Sequence, residues 1–104
     1  MVKNKQSIVK VWFSKPKEAW HSLSEKEQED FFKKEQEMAK RLRAKLGIRT
    51  INTSKCLWSN EEWFEFGIEE FPNVEAVQEY NEQLLKIGMY RYFEAKVLLG
   101  TPIE

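Results

Sequence analysis

Apolar and polar residues follow two rhythms along this chain, and these rhythms predict helices and strands. Apolar positions recur every three or four residues from Phe31 to Leu46, which indicates a helix with one buried side. The same spacing predicts a second helix from Val74 to Ile87. Runs rich in β-branched and aromatic residues predict four strands, at 8–13, 48–58, 62–71 and 92–99. The predicted order is βαββαβ.

Helix-capping residues indicate where the helices begin. Ser24 and Glu27 have the spacing of a capping box, in which each side chain accepts a hydrogen bond from the other residue's backbone N–H. Ser22 and Glu25 have the same spacing, so the first helix has two possible starts. Asn73 is expected to cap the second helix.

The order βαββαβ predicts an α+β, ferredoxin-like fold. In such a fold a four-stranded antiparallel sheet carries both helices on one face. A chain of 104 residues has the size of one domain, so we expect a single domain over residues 1–104.

Alternation along the strands predicts which sheet face the helices cover. One set of positions is apolar and is expected beneath the helices: Val9, Val11, Phe13, Phe64, Phe66, Ile68, Phe93, Ala95, Val97 and Leu99. The opposite set mixes charges with large apolar side chains, which would form an exposed apolar patch in a monomer. We expect a second copy of the chain to cover it, at an interface that includes Trp12, Trp63, Glu65, Glu69 and Leu98. Lys10 and Lys96 would pair with glutamates there. The alternative is a solvated, salt-bridged face.

Composition narrows the classes of partner. The 17 basic and 17 acidic residues balance, so no net charge attracts nucleic acid. No apolar run approaches the roughly 20 residues that span a bilayer, so no membrane partner is expected and the predicted location is the cytoplasm. Cys56 is the sole cysteine and is expected to be a buried, unreactive thiol. No Cys/His spacing indicates a metal site, and we predict no metal or cofactor.

Three stretches of the chain carry a family resemblance. They are KPKEAWHSL with the following EDFF, then EEWFEFGIEEFPNVEAVQEY, then IGMYRYFEAKVLLGTP. In the order of their elements, the length of the chain and the placement of aromatic residues and prolines, they resemble a family of short, uncharacterised bacterial proteins in the dimeric α/β-barrel superfamily. The resemblance implies a homodimer in which two ferredoxin-like sheets pack face to face. Superfamily relatives include cofactor-free monooxygenases acting on aromatic polyketides, heme-degrading monooxygenases and polyketide cyclases, so the fold does not specify a reaction.

The candidate catalytic residues come from two segments. His21 is the only histidine and lies in a predicted loop at 14–23, where it could act as a general base on a phenol or enol. Tyr90 and Tyr92 could donate hydrogen bonds to a carbonyl, and Arg91 between them could pair with a carboxylate. The alternatives are a loop histidine without a special role and a hinge whose large side chains fix the helix end to the sheet. An axial heme ligand is a further reading of His21, but the local context of heme-degrading relatives is absent.

These candidates lead to more than one functional hypothesis. Trp20 and Trp58 are expected to help line a pocket between sheet and helices, into which His21 and Tyr90 would both point. The protein is expected to bind a small apolar or aromatic molecule there. One alternative is a cofactor-independent monooxygenase or cyclase-like enzyme that uses His21 as base. The other is a non-catalytic dimeric interaction module.

Overall fold

The computed structural model of the chain describes residues 7–103. Its elements run in chain order as β1 (Ile8–Pro16), α1 (Glu18–His21), α2 (Glu25–Leu46), β2 (Arg49–Lys55), β3 (Glu65–Phe71), α3 (Val74–Lys86), α4 (Met89–Tyr92) and β4 (Phe93–Gly100). With the one-turn helices α1 and α4 set aside, this is the predicted βαββαβ order.

The four strands form one antiparallel sheet in the order β2-β3-β1-β4. Residues of α2 and α3 share a buried core with Phe71 of β3, so both long helices lie on the same face of the sheet. This arrangement confirms the α+β, ferredoxin-like fold.

The long helices begin at the capping residues. The Ser24 hydroxyl accepts from the Glu27 N–H at 3.1 Å and the Glu27 carboxylate accepts from the Ser24 N–H at 2.9 Å, so the helix starts at Ser24 and not at Ser22. Asn73 caps α3 by accepting from the Ala76 N–H at 2.9 Å. Within residues 7–103, no helix combines the length and apolarity needed to cross a membrane.

Three connections differ from their predictions, and one of them is Met89–Tyr92, which forms the one-turn helix α4 and so takes Tyr92 out of the predicted last strand. The segment from Glu18 to His21 forms a helical turn where a loop was expected. Strand β2 ends at Lys55, and the hairpin connection is longer than predicted because Asn60 organises it. The Asn60 amide donates to the Cys56 carbonyl at 2.8 Å and its side-chain oxygen accepts from the Trp63 N–H at 2.7 Å. Such side-chain bonds replace strand pairing with a defined loop.

The dry core lies at one end of the space between helices and sheet. Phe71 is 0% exposed and packs edge-on against Tyr80, with ring centroids 5.9 Å apart. Met38 and Leu42 of α2 and Leu84 of α3 complete the cluster around it.

The prediction of which strand positions face the helices is wrong for β1 and β3. Lys10 pairs with Glu69 and Trp12 with Gly67 in the sheet register, and these positions lie beneath the helices. Val11 pairs with Ile68 and Phe13 with Phe66, so those apolar residues are on the opposite face. We call this opposite face the open face: Val9, Val11, Phe13, Phe66, Ile68 and Leu98.

Strand β4 is oriented as predicted. Val97 pairs with Trp12 and Leu99 with Lys10, which places the apolar set of β4 on the helix-facing side. The error in β1 and β3 has a physical cause: a two-residue period defines two faces but does not say which one the helices cover. The helices cover the mixed face, and the space beneath them is a cavity with charged groups in its floor.

Candidate functional site

A cavity of about 460 Å³ lies between the sheet and the helices α2, α3 and α4. Every strand contributes to it, as does each of those helices, so it is a product of the tertiary fold. Its lining includes Lys10, Trp12, Ser14, Thr53, Glu65, Glu69, Phe93, Ala95 and Val97 from the sheet and Phe32, Glu35, Gln36, Ala39, Arg43, Tyr80, Leu84, Met89 and Tyr90 from the helices. A volume of this order accommodates a small organic molecule.

The floor of the cavity holds charged groups that are almost completely buried. Lys10 is 5% exposed and Glu69 is 3% exposed. Arg43 reaches down from α2, and its Nη2 donates to the Glu69 carboxylate at 3.2 Å. The Arg43 Nε is buried and has no hydrogen-bond partner among residues 7–103. An unsatisfied buried donor beside a cavity is a position where a ligand acceptor can bind.

Lys10 is held by aromatic rings. Its ammonium lies 5.5 Å from the ring centroid of Tyr80 and 5.7 Å from that of Phe71. Among residues 7–103 it forms no ion pair, although Glu69 lies opposite it in the sheet. Desolvation by burial lowers the pKa of Lys10, and the Glu69 charge opposes this shift.

Other titratable groups of the cavity are shifted toward their neutral forms. Burial raises the pKa of Glu35; Arg43 partly offsets this rise and the charge of Glu69 adds to it. Burial also raises the pKa of Tyr80. Groups with perturbed pKa values that share a cavity are typical of functional sites, although structural networks produce them as well.

The mouth of the cavity includes exposed apolar side chains. Phe32 is 45% exposed and Val97 is 43% exposed, and both lie at its rim with Ala95 and Gln36. Gln36, Thr53 and Glu65 are exposed lining residues as well, so the site changes from an accessible entrance with apolar and polar groups to a charged, buried floor.

Trp12 forms part of the sheet wall because Gly67 leaves room for it. A Cβ atom built on Gly67 would overlap the Trp12 indole, so the ring lies flat across the glycine of the neighbouring strand. Any larger residue at 67 would displace this ring.

Tyr90 is the one predicted catalytic residue that lines the cavity. Its hydroxyl donates to the Asn81 side chain at 2.8 Å, and its backbone carbonyl accepts from the Lys17 ammonium at 2.7 Å. The Lys17 N–H also donates to the Tyr92 carbonyl at 2.7 Å. The end of β1 and the start of β4 therefore meet as expected, and the segment around Tyr90 is both a hinge and a cavity wall.

The prediction that His21 and Tyr90 share a cavity is wrong. His21 is the last residue of α1, is exposed, and is not among the residues that line the cavity. Trp20 and Tyr92 also lie outside the lining. They pack with Phe31 and Phe93 in an aromatic cluster that closes one end of the domain, with the Trp20 and Phe93 centroids 4.8 Å apart.

The remaining predicted ligand-binding residues also lie away from the cavity. Arg91 is exposed and sits over the Tyr92 ring at 5.7 Å. Trp58 is 86% exposed and lines a shallow depression built only from loop residues 57–62. That depression has a larger volume, about 520 Å³, but no buried charged group and no wall from a second segment. The interior cavity is the better candidate site for this reason.

The predicted interface residues divide between the two faces of the sheet. Trp12, Glu65 and Glu69 line the cavity on the helix-facing side. Leu98 lies on the open face, and Trp63 packs against Phe13 of that face with ring centroids 5.9 Å apart. Because the β1 and β3 faces are exchanged, the expected pairing of Lys10 with interface glutamates does not apply.

The cavity does not fit a histidine-ligated heme, because the only histidine of the chain lies outside its lining. Among residues 7–103, no group of three His, Cys, Asp or Glu side chains is arranged to hold a metal ion. Cys56 is buried, and its thiol donates to the Trp63 carbonyl at 3.4 Å.

Sequence reasoning missed Lys10, Glu35 and Arg43 as site residues. A signal was present in β1, where Lys10 stands between Val9 and Val11 in an otherwise apolar strand. We assigned that lysine to a dimer interface because the helix-facing side was expected to be dry.

Comparison with solved structures supports the fold. The chain is similar to a protein described as a putative chlorite dismutase, with a TM-score of 0.74 and 16% sequence identity. The match covers 99% of this chain and 46% of that one, so the chain spans about half the length of its structural relative. This likeness confirms the ferredoxin-like fold, and at this identity it shows the fold alone.

Comparison of sequences gives the family. No curated protein matches the chain. The profile of a family of unknown function, DUF6616, matches residues 5–103. The match includes all the described strands and helices, and the chain therefore belongs to this family, DUF6616.

Proposed function

We propose that the protein binds a small amphipathic organic molecule in the cavity between sheet and helices. The observation that carries this proposal is the gradient across the cavity, from the exposed Phe32 and Val97 at the mouth to the buried Lys10 and Glu69 at the floor. An aromatic or aliphatic body would pack against the apolar rim. A polar group would reach the floor, where the free Arg43 Nε can donate a hydrogen bond.

The size and chemistry of the lining support this class of ligand. Ligand pockets are mostly apolar and carry a few placed polar groups that fix orientation. The three acids Glu35, Glu65 and Glu69 outnumber the two bases Lys10 and Arg43 in the lining, so the cavity does not favour a highly charged anion such as a nucleotide.

Naphthol, an amphipathic aromatic alcohol, is a suitable probe of this proposal. Titration calorimetry should detect binding to the wild-type protein. Ala95→Phe, at the rim, should weaken binding about tenfold or more by filling the entrance. Ala44→Phe, on an exposed position of α2 outside the lining, is the matched control and should bind as wild type. Equal affinities for the two variants would contradict the proposed site.

A second proposal concerns the open face, which we infer pairs with the same face of a second copy. Its centre is apolar: Val11 on β1 is flanked by Ile68 on β3 and Leu98 on β4, and Leu98 is 68% exposed. Ion pairs stand at the margin of the sheet, between Arg49 and Glu70 at 2.6 Å and between Lys15 and Glu94 at 3.7 Å.

An apolar centre with a charged rim has the anatomy of a protein–protein interface. A face that continues over three strands matches a copy of itself in a twofold arrangement. The ferredoxin-like fold of the dimeric α/β-barrel type supports the same pairing. Pairing through this face would leave the helix-covered cavity accessible in both copies.

A further inference from the structure

The buried amine of Lys10 is the feature of the cavity that ligand binding leaves unexplained. Lysine is rarely buried without a paired charge. Here Glu69 lies opposite Lys10 in the sheet, but the Glu69 carboxylate accepts a hydrogen bond from Arg43 at 3.2 Å. The Lys10 ammonium lies over the Tyr80 and Phe71 rings. Lys10 is also one of the residues that line the cavity, so it lies next to the space where a molecule would bind.

We propose that Lys10 forms an imine with the carbonyl carbon of an aldehyde or ketone bound in the cavity. This inference rests on the proposed function, because it assigns a reactive carbonyl to the polar end of the ligand. The nitrogen lone pair forms a C–N bond while the carbonyl π bond breaks and its oxygen takes a proton. The resulting carbinolamine loses its hydroxyl with a second proton as water, and the nitrogen loses its extra protons as the C=N bond forms. One amine and one carbonyl give one imine and one water.

The environment of Lys10 favours the reactive form of the amine. Only the neutral amine is a nucleophile, and a lysine is activated when its surroundings disfavour the ammonium. Desolvation by burial lowers the pKa of Lys10, against the opposing charge of Glu69. The titratable and charged groups that share its cavity are Glu65 and Glu69 of β3, Glu35 and Arg43 of α2, Tyr80 of α3 and Tyr90 of α4.

Glu35 lines the same cavity and is the candidate proton donor for the dehydration step. Loss of hydroxide from the carbinolamine requires a proton donor that is still protonated near neutral pH. Burial raises the pKa of Glu35, which lines the same cavity from α2. Lys10 and Glu35 thus form a base and an acid whose ionisation is shifted toward the neutral forms.

The mouth selects the class of carbonyl compound. Phe32, Val97 and Ala95 are exposed at the rim, and the partly buried Phe93 adds apolar surface along β4. An aldehyde or ketone with an aromatic or aliphatic tail fits this path. A sugar, whose hydroxyls would be stripped of water along it, does not.

Reductive trapping on the wild-type protein tests the proposal. The protein is incubated near neutral pH with naphthaldehyde and cyanoborohydride, which reduces an imine to a stable secondary amine. Peptide mapping by mass spectrometry then gives the labelling rate of each lysine, with the exposed Lys33 of α2 as internal reference. We expect Lys10 to be labelled about tenfold faster than Lys33. The gap should narrow as pH approaches about 10.4, the ordinary pKa of lysine, since exposed amines then become neutral as well.

Two controls separate this inference from the proposed function. Naphthylmethanol has the same ring system without a carbonyl; it should slow labelling of Lys10 and leave Lys33 unchanged. Lys10→Arg keeps a cation over the rings but should lose the selective label. Labelling of Lys10 no faster than Lys33, with naphthylmethanol still bound in calorimetry, would overturn the imine and leave the binding function intact. Failure of naphthylmethanol to bind at all would overturn the proposed function.

Discussion

Lys10 and Glu69 lie directly opposite each other on β1 and β3, yet the Glu69 carboxylate pairs with Arg43 of α2 at 3.2 Å. The sheet register places Lys10 opposite Glu69, and Arg43 of α2 forms the ion pair with Glu69 in place of Lys10. This arrangement satisfies the buried carboxylate and leaves the amine of Lys10 over the Phe71 and Tyr80 rings, in a residue that lines the cavity. Both the stability of the fold and the chemistry proposed for the cavity depend on this pairing of Arg43 with Glu69.

Removing Arg43 should therefore destabilise the fold. In Arg43→Met the buried Glu69 loses its hydrogen-bonded cation, and we expect the free energy of unfolding to fall by about 2 kcal/mol, typical of a hydrogen bond to a charged group. Arg41→Met, at an exposed position of the same helix, should change it little. Urea denaturation measures both variants. Equal losses would mean that the Arg43–Glu69 pair contributes nothing to stability.

Two phenylalanines of β3 lie on opposite faces of the sheet, so their replacement by alanine should lower the free energy of unfolding by different amounts. Phe71 is 0% exposed in the core, so Phe71→Ala should cost about 3–5 kcal/mol. Phe66 lies on the open face and is only partly buried, so Phe66→Ala should cost clearly less in the monomer. Denaturation at low protein concentration distinguishes them. A larger loss for Phe66→Ala would show that the helices cover the other face.

The buried amine also predicts a pH dependence of stability. Because the pKa of Lys10 is lowered in the folded state, the unfolded chain binds more protons between that lowered value and 10.5. The stability contributed at this site is therefore smallest below the lowered pKa of Lys10 and rises with pH from there to 10.5. Lys10→Met removes the titration and should be at least as stable as wild type at pH 7, with an advantage that shrinks at alkaline pH.

The comparison of the two proteins isolates this effect. The pKa of Tyr80 is raised from its ordinary value of 10.0, so the stability that it contributes is lost only as pH rises past about 10 and adds little to the difference below that pH. A constant difference between Lys10→Met and wild type from pH 7 to 10 would show that Lys10 titrates normally.

The open face gives a prediction about assembly. Val11 lies between Ile68 and Leu98 at its centre, so Val11→Glu places a charge in the middle of the proposed interface and should convert a dimer to a monomer. Trp58→Glu, on the exposed loop, should leave the assembly unchanged. Light scattering gives the mass of each, and circular dichroism checks that the variant is folded. A wild-type monomer at micromolar concentration would contradict the pairing.

Local signals predicted the fold because each one specified its own element. The Ser24–Glu27 capping box and the Asn73 cap determine helix starts without reference to the rest of the chain. The order of the elements then restricts the topology to a few choices. The short turn at Glu18–His21 was missed because four residues carry too little periodicity to distinguish a helix from a loop.

The site was less predictable because it depends on which face of the sheet the helices cover. With Val11 and Phe13 placed inside, Lys10 and Glu69 were read as interface charges, and His21 remained as the obvious chemical group. The helices instead cover the mixed face, where charges are tolerated because Arg43 reaches Glu69 and aromatic rings contact Lys10. Alternation along a strand contains no information about this choice.

The central claim is that the cavity beneath the helices binds a small amphipathic molecule, and the four tryptophan indole N–H signals test it in one NMR titration with naphthol. Trp12 lines the cavity, whereas Trp20 is in the aromatic cluster, Trp63 packs on the open face and Trp58 is on the exposed loop. We predict that the Trp12 indole signal shifts progressively and saturates, while the Trp58 and Trp63 signals stay in place. A saturable shift of Trp58 or Trp63 with Trp12 unchanged would place the ligand outside the cavity and contradict the account.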